Sequence, residues 1–125
     1  MSTWNLPQHD YEEIREVVLD VLSKAPAHGV NQYAGVLEHT ARTLARRHNA
    51  PPLPTGMAYP GADTQLHPYD SDIVLEVVWD LFRQGVITLG INSANPGWPW
   101  LRLSRFGQKA LEHQSPFRFH DSSGF

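Results

Sequence analysis

The sequence predicts a mainly α-helical fold with one small β-hairpin, in the α+β class. Three observations lead to this prediction. Three long segments carry apolar residues at helical spacing. Two short alternating segments surround a tip rich in Asn, Pro and Gly, and one more amphipathic segment follows them. The chain of 125 residues has the length of one domain, and its 41% of hydrophobic residues can supply one core.

The first helix is predicted to begin at Asp10 and to end where Pro26 and Gly29 interrupt the pattern. Asp10 can cap this helix, and Glu13, three residues later, completes a capping-box pattern. The apolar residues that share one stripe are Tyr11, Ile14, Val18, Val21 and Leu22. One face of the helix is therefore expected to enter the core.

A second helix is predicted to begin near Asn31 and to stop before Pro51. Its apolar face is formed by Tyr33, Leu37, Ala41 and Leu44. The basic side chains on another side are His39, Arg42, Arg46 and Arg47, the most basic surface of the chain. Residues 50–69 follow as a Pro-rich loop, in which only "GADTQL" is a candidate for a short helical turn. Loops longer than about 12–15 residues usually have a role or are disordered.

The third long helix is predicted over residues 70–85, with Gly85 as its C-terminal cap. It has two neighbouring apolar stripes, one of Val74, Val77, Val78 and Leu81 and one of Leu75, Trp79 and Phe82. We expect a helix that is apolar over most of its circumference to be central to the fold.

Two strands are predicted within residues 86–91 and 98–104, joined by the tip "NSANPG". The strand residues that share the core-facing side are Ile87, Leu89, Leu101 and Leu103. Ser104 can then cap a last helix over residues 105–113. The hairpin is thus expected to have one apolar side on the core.

This order of elements, with two local motifs, resembles the winged-helix domains of bacterial regulators of the MarR and PadR type. The segment "LFRQGVI" (residues 81–87) has the form of the Leu-rich turn and Gly-Leu-Ile that commonly end their recognition helix. The segment "LSRFGQKAL" (residues 103–111) matches their Leu-Thr-x-x-Gly-x-x-x-Leu pattern, with Ser for Thr. The resemblance covers residues 74–111 and implies a winged-helix fold. Because Gly in a helix costs up to about 1 kcal/mol relative to Ala, we predict a close backbone approach at Gly107.

The resemblance also implies that the helix before the hairpin, or wing, enters the DNA major groove, but the charges do not suit this role. Asp70, Asp72 and Glu76 would face phosphates there, although Asp70 and Asp72 can also serve as helix caps. The wing tip has no Lys or Arg with which to contact phosphates. The connection over residues 49–70 far exceeds the about 3–4 residues of a helix-turn-helix. The net charge of −3 gives no general attraction to polyanions.

The alternative interpretation is a DNA-binding transcriptional regulator that contacts phosphates through the second helix and the base of the wing. The residues that would carry this contact are His39, Arg42, Arg46, Arg47, Arg102, Arg105 and Lys109. The arginines of the second helix can equally form a solvated face near its C-terminus, where the helix dipole favours cations. Any DNA contact would therefore depend on a local basic patch.

The sequence favours a non-catalytic regulatory or protein-interaction module that is part of a larger protein or assembly. Aromatic side chains beside a hairpin tip are typical of binding hot spots, although the same tryptophans can cover the open side of a small domain. The predicted interaction residues are Trp79, Trp98, Trp100, Phe117 and Phe119. A protein partner or a second copy of the chain is expected, rather than a membrane.

We assign residues 1–9 to an N-terminal arm, residues 10–114 to the domain and residues 115–125 to a C-terminal tail or linker. The chain has no Cys, its seven His residues are scattered, and it lacks nucleotide-binding and catalytic motifs. We therefore expect no enzyme activity, no metal site and no cofactor. The N-terminus does not resemble a signal peptide, and no apolar run approaches the about 20 residues that cross a bilayer, so a cytoplasmic protein is expected.

Overall fold

The computed structural model describes residues 8–49 and 66–113. In these ranges the protein is mainly helical with a small two-stranded antiparallel sheet, as predicted. The elements are α1 (Tyr11–Ser23), α2 (Ala25–His28), α3 (Tyr33–Arg47), α4 (Pro68–Arg83), β1 (Ile87–Leu89), β2 (Leu101–Leu103) and α5 (Arg105–His113). None of the helices within the described ranges has the length and apolar content needed to cross a bilayer. Most of the 50–69 loop and the tail with Phe117 and Phe119 lie outside these ranges.

The ends of α1 follow local sequence rules. The carboxylate of Asp10 accepts a hydrogen bond from the Glu13 backbone N–H at 2.8 Å, which confirms the predicted cap. The helix ends at Ser23, and the short α2 continues to Gly29, which has the left-handed φ of 69° expected of a C-terminal cap. Pro26 lies in the first turn of α2, where its missing N–H costs no helical hydrogen bond.

The core forms where α1 packs against both α3 and α4. The α4 residues that are fully or almost fully buried there are Val74, Val77, Val78 and Leu81. The second apolar stripe of α4 does not enter this core, because Leu75 and Phe82 are 39% and 37% exposed. As expected, α4 is central to the fold, since it supplies core residues and packs on α1 and β1, but only one of its two apolar stripes is buried. Only one side of α4 meets α1 and β1, and the other side faces outward.

The two strands pair antiparallel, with Ile87 opposite Leu103 and Leu89 opposite Leu101, so the four predicted apolar residues share one face of the hairpin. The connection between α2 and α3 adds a further contact that the sequence did not predict. The Leu101 backbone N–H donates to the Asn31 carbonyl at 3.0 Å, and Gln32 forms an isolated bridge with Trp100. The beginning of α3 is thereby attached to the outer edge of the hairpin.

The predicted roles of Ser104 and Gly107 are confirmed. The Ser104 hydroxyl accepts from the Gly107 backbone N–H at 2.9 Å, and it donates toward the carbonyls of Gly85 and Val86, at 2.5 and 3.0 Å. A Cβ atom on Gly107 would lie 2.1 Å from the same Val86 carbonyl oxygen, a distance that no side chain can occupy. Gly107 therefore allows α5 to pack directly on the backbone at the start of β1.

Candidate functional site

A row of four aromatic rings crosses from α3 over the hairpin to α4. Trp98, at the hairpin tip, contacts Tyr33 on one side and Trp79 on the other, with ring centroids 5.2 and 5.3 Å apart. Trp79 and Trp98 are nearly parallel at 18°, and Phe82 meets Trp79 edge-on at 5.6 Å. Stacked and edge-to-face pairs at these separations are the favourable arrangements of aromatic rings. We call these four residues the aromatic row.

Three separate chain segments supply this row, and a backbone hydrogen bond joins two of them. Trp79 and Phe82 are three residues apart on the outward side of α4, so helical geometry brings their rings together. Tyr33 begins α3, and its backbone N–H donates to the Pro99 carbonyl at 3.0 Å, which fixes this end of α3 beside the hairpin tip. The aromatic row is therefore an organised surface rather than a chance meeting of mobile side chains.

Much of the aromatic row faces outward. Trp98 is 42% exposed, and Tyr33 and Trp79 are half-buried. Leu75, one turn before Trp79 on α4, extends the apolar surface beyond the rings. Single exposed apolar residues are common on proteins, whereas a contiguous group of large ones is typical of interaction sites.

The border of the aromatic row is acidic. Asp72 and Glu76 are exposed on the same outward side of α4. Burial raises the pKa of the Tyr33 hydroxyl, and the negative charge of Asp72 raises that pKa further. Asp80, one turn beyond Glu76, accepts from the Tyr11 hydroxyl at 2.5 Å and also pairs with Arg83. The surface thus combines apolar rings with two carboxylates that point to solvent.

The structure brings together two of the five predicted interaction residues, Trp79 and Trp98. Trp100 is half-buried and pairs with Gln32 at the hairpin edge. The sequence prediction did not include Tyr33 or Phe82. Phe82 could have been predicted from its helical spacing to Trp79. Tyr33, in contrast, joins the row only through the packing of α3 beside the hairpin.

The basic residues of α3 are largely paired with neighbouring side chains. Arg42 lies 3.1 Å from Glu38 on the same helix, and Arg47 lies 2.8 Å from Glu16 on α1. Arg46 donates to the Thr43 hydroxyl at 3.3 Å. Half-buried His39 packs against the His28 ring, with centroids 5.6 Å apart. The predicted basic patch is thus interleaved with carboxylates, which reduces its attraction for a polyanion.

The remaining basic candidates lie elsewhere in the fold. Arg102 is exposed on β2, and Arg105 and Lys109 are exposed on α5. These three cations follow the hairpin tip in the chain. They belong to the base of the hairpin and to the helix that packs on it, whereas the basic side chains of α3 lie on a different element.

Asp70 does not have the position expected from the sequence. It is fully buried and accepts two hydrogen bonds from His9, from the backbone N–H at 3.0 Å and from ring Nδ1–H at 2.7 Å. The N-terminal cap of α4 is the His67 ring, whose Nδ1 accepts from the Tyr69 backbone N–H at 3.0 Å. The prediction that Asp70 caps α4 or faces a DNA groove is therefore wrong, because its carboxylate points into the protein toward residues 8–10.

Besides its contact with Asp70, His9 belongs to another group of polar side chains, on the side of α1 that faces α3. We call this group the second polar cluster. His9, Glu13 and His48 each offer one nitrogen or oxygen atom, and these three atoms lie within 4.8 Å of one another. The set of two imidazoles and one carboxylate is chemically able to bind a transition metal. The sequence did not suggest this cluster, because His9 and Glu13 lie around the start of α1, whereas His48 directly follows α3, which is distant along the chain.

Comparison of the chain with protein-family models, with curated proteins and with solved structures found no match.

Proposed function

We propose that this protein is a non-catalytic interaction module of winged-helix type that binds a polypeptide partner through the aromatic row. The partner is a segment with an aromatic or aliphatic anchor and with Lys or Arg beside it. The observation that carries the proposal is the outward-facing aromatic row with its acidic border. Tyr and Trp are enriched among the residues that dominate binding energy at protein interfaces.

The acidic border determines the kind of partner. Asp72 and Glu76 lie on the outward side of α4 that carries Trp79, and electrostatic complementarity speeds association and selects among partners. A partner with Lys or Arg near its apolar anchor would pair with these carboxylates. A second copy of the chain would bring the same negative charges to the interface, so a different polypeptide is the better match.

The same charges argue against DNA as the partner. In a winged-helix protein that reads DNA, the helix before the hairpin enters the major groove. The outward side of α4 carries Asp72 and Glu76, which would repel phosphates. Arg42 and Arg47 on α3 are already paired with Glu38 and Glu16. A polypeptide therefore fits this surface better than a duplex does.

A displayed library of random peptides, selected on the full chain and counter-selected on Trp98→Ala, tests the proposal. We expect enriched peptides to combine a large apolar residue with Lys or Arg. Their affinity should fall about 30-fold or more in Trp98→Ala or Trp79→Ala, as for a hot spot worth about 2 kcal/mol. The Asp72→Asn and Glu76→Gln variants should weaken binding less and reduce its salt dependence.

The matched control is the double variant Arg42→Ala with Arg46→Ala, which should bind the selected peptides like the natural chain. Labelled duplex DNA is titrated in parallel at about 50 mM and about 200 mM salt, where phosphate-driven binding falls steeply. Duplex binding that disappears in the arginine variant would overturn the proposal in favour of a DNA-binding regulator. A dimer in sedimentation experiments that Trp98→Ala dissociates would replace the basic peptide with a second copy.

A further inference from the structure

The second polar cluster lies where the N-terminal end of α1 meets the C-terminal end of α3. The His9 and His48 rings have centroids 4.7 Å apart and are tilted by 47°. His48 Nε2–H donates to the Glu13 carboxylate at 2.9 Å. We propose that His9, Glu13 and His48 form a binding site for a divalent transition-metal ion of the Zn²⁺ class.

The hydrogen bonds of Asp70 prepare His9 for this role. A carboxylate can only accept, so the 2.7 Å contact requires that His9 Nδ1 carries the proton. The lone pair on His9 is then on Nε2, which is the nitrogen able to bind a metal. A buried carboxylate that orients a metal-binding His in this way is a recurrent feature of zinc sites. The second bond of Asp70, from the His9 backbone N–H at 3.0 Å, fixes the residue as a whole.

The ligand set matches the chemistry of Zn²⁺. Two imidazoles and one carboxylate occur in zinc sites that keep a fourth position for water or another ligand. Bonds of about 2.0–2.1 Å in tetrahedral geometry separate the ligand atoms by about 3.4 Å. His48 Nε2 and Glu13 Oε2 are 2.9 Å apart, and all three ligand atoms lie within 4.8 Å of one another. Small side-chain movements are therefore sufficient to close the site.

The burial of the three side chains differs in a way that suits metal entry. The His9 side chain is only 8% exposed, whereas the His48 side chain is 45% exposed. His9 thus supplies a fixed ligand, and His48 can turn toward the ion from solvent. When the metal binds, it takes the Nε2 lone pair of His48, and the ring proton moves from Nε2 to Nδ1.

Arg47 is the competing cation at this site. One of its guanidinium nitrogens lies 3.7 Å from the Glu13 carboxylate, and the other lies 2.8 Å from Glu16. The closer partner is Glu16, so Arg47 keeps an ion pair when Glu13 turns to a metal. Replacement of Arg47 should raise the metal affinity of the cluster, an effect that a purely structural hydrogen-bond network would not produce.

Zn²⁺ binding is measured by calorimetry on the full chain, stripped of metal and prepared without a polyhistidine tag. We expect saturation at one Zn²⁺ per chain and a concentration-dependent rise in the unfolding temperature. His48→Ala and Glu13→Gln should each lower the affinity at least tenfold, and Arg47→Gln should raise it. Loss of the orienting carboxylate in Asp70→Asn should cost about 10- to 100-fold.

The matched control is His39→Ala, which removes a ring from the other close pair, His28 and His39, and should leave Zn²⁺ binding unchanged. His48 is exposed, so His48→Ala keeps the test valid even if Asp70→Asn unfolds the protein. Binding of Co²⁺ should give the visible absorption of a low-coordinate site, and this absorption should disappear in His48→Ala. Absence of saturable binding, or identical titrations for the natural chain and His48→Ala, would overturn the proposal.

Discussion

The two apolar sides of α4 differ in what covers them. The inner side consists of Val74, Val77, Val78 and Leu81, all buried in the core. The outer side carries Leu75, Trp79 and Phe82, and of these Leu75 and Phe82 are exposed. Both sides carry apolar residues at helical spacing, but the outer side also carries the exposed Asp72 and Glu76. Branched aliphatic side chains fill the space between helices, whereas Trp79 on the outer side stacks on Trp98 and Phe82 packs against Trp79.

Under the proposed function, the outer side of α4 serves binding and the inner side serves folding. An exposed group of large apolar side chains gives little to the core and increases the tendency to aggregate. The inner side should therefore determine the free energy of unfolding, and the outer side should determine affinity for a partner. Matched substitutions on the two sides of α4 can separate these roles.

The largest expected effect on the free energy of unfolding comes from comparing one leucine on each side of α4. Leu81→Ala, at a fully buried position, should lower the free energy of unfolding by about 2–5 kcal/mol, because it removes apolar contacts and leaves a cavity. Leu75→Ala should change it by no more than about 0.5 kcal/mol, as is usual for surface positions. Urea unfolding measures both. Equal losses would mean that Leu75 is covered and would remove the contrast between the two sides.

A second pair compares the aspartates near the start of α4. Asp70→Asn should cost about 1–3 kcal/mol, because an amide cannot accept both hydrogen bonds and leaves a buried donor of His9 without a partner. The exposed Asp72 is the control, and Asp72→Asn should stay within about 0.5 kcal/mol. The measurement is urea unfolding near neutral pH. An Asp70→Asn variant as stable as the natural chain would show that the contact with His9 contributes nothing to folding.

The third prediction concerns the stacked rings on the outer side. A double-mutant cycle with Trp79→Ala and Trp98→Ala should give a coupling of about 0.5–1.5 kcal/mol in the free energy of unfolding. The reason is that the two rings contact each other at 5.3 Å. A cycle of Trp79→Ala with Leu81→Ala does not serve as the additive control for this measurement, because two residues close together on one helix can affect each other's contribution to stability. Strict additivity of the two Trp substitutions would show that the aromatic row is not formed in solution.

The smallest effect is expected at Tyr11, which is partly exposed and bonds to Asp80 at the margin of α4. Burial and the hydrogen bond to Asp80 raise the pKa of the Tyr11 hydroxyl above its usual value of 10.0. The unfolded chain therefore loses this proton first as the pH rises. The stabilisation is complete below about pH 10 and is lost as the pH rises further toward the folded-state pKa.

This prediction is checked by urea unfolding of the natural chain and Tyr11→Phe between neutral pH and about pH 11. The stability difference between the two proteins should become less favourable to the natural chain above about pH 10. Tyr33→Phe should show the same direction, because burial also raises the pKa of Tyr33. A difference that stays constant over this range would contradict the proposed link between Tyr11 and Asp80.

Local rules predicted several parts of the fold correctly. The Asp10 cap, the Gly29 turn and the Ser104 cap depend on partners only a few residues away or on the residue's own backbone conformation. The apolar positions along α4 and along the two strands follow from the helical and strand periods. Gly107 was recognised because a helical Gly without local purpose indicates close packing, and the Val86 carbonyl is the group that approaches it.

The candidate surfaces were predictable only in part. Trp79 and Trp98 were expected to take part in one patch, but nothing in the sequence indicated that Tyr33 would join them. That contact depends on the hydrogen bond from Tyr33 to Pro99 and on the angle at which α3 meets the hairpin. The expected exposure of Asp70 was wrong because its partner, His9, lies far away along the chain.

The sequence by itself determined the main helices and strands, the caps at Asp10 and Ser104 and which residues can supply a core, because these depend on chain periodicity and on contacts between near neighbours. Only the tertiary structure decided which apolar side of α4 is covered and which carboxylate is buried. It also decided which histidines meet at the junction of α1 and α3. The physical reason is that these outcomes depend on the relative positions of packed helices, and pairwise packing of elements distant in sequence is not encoded in any single segment.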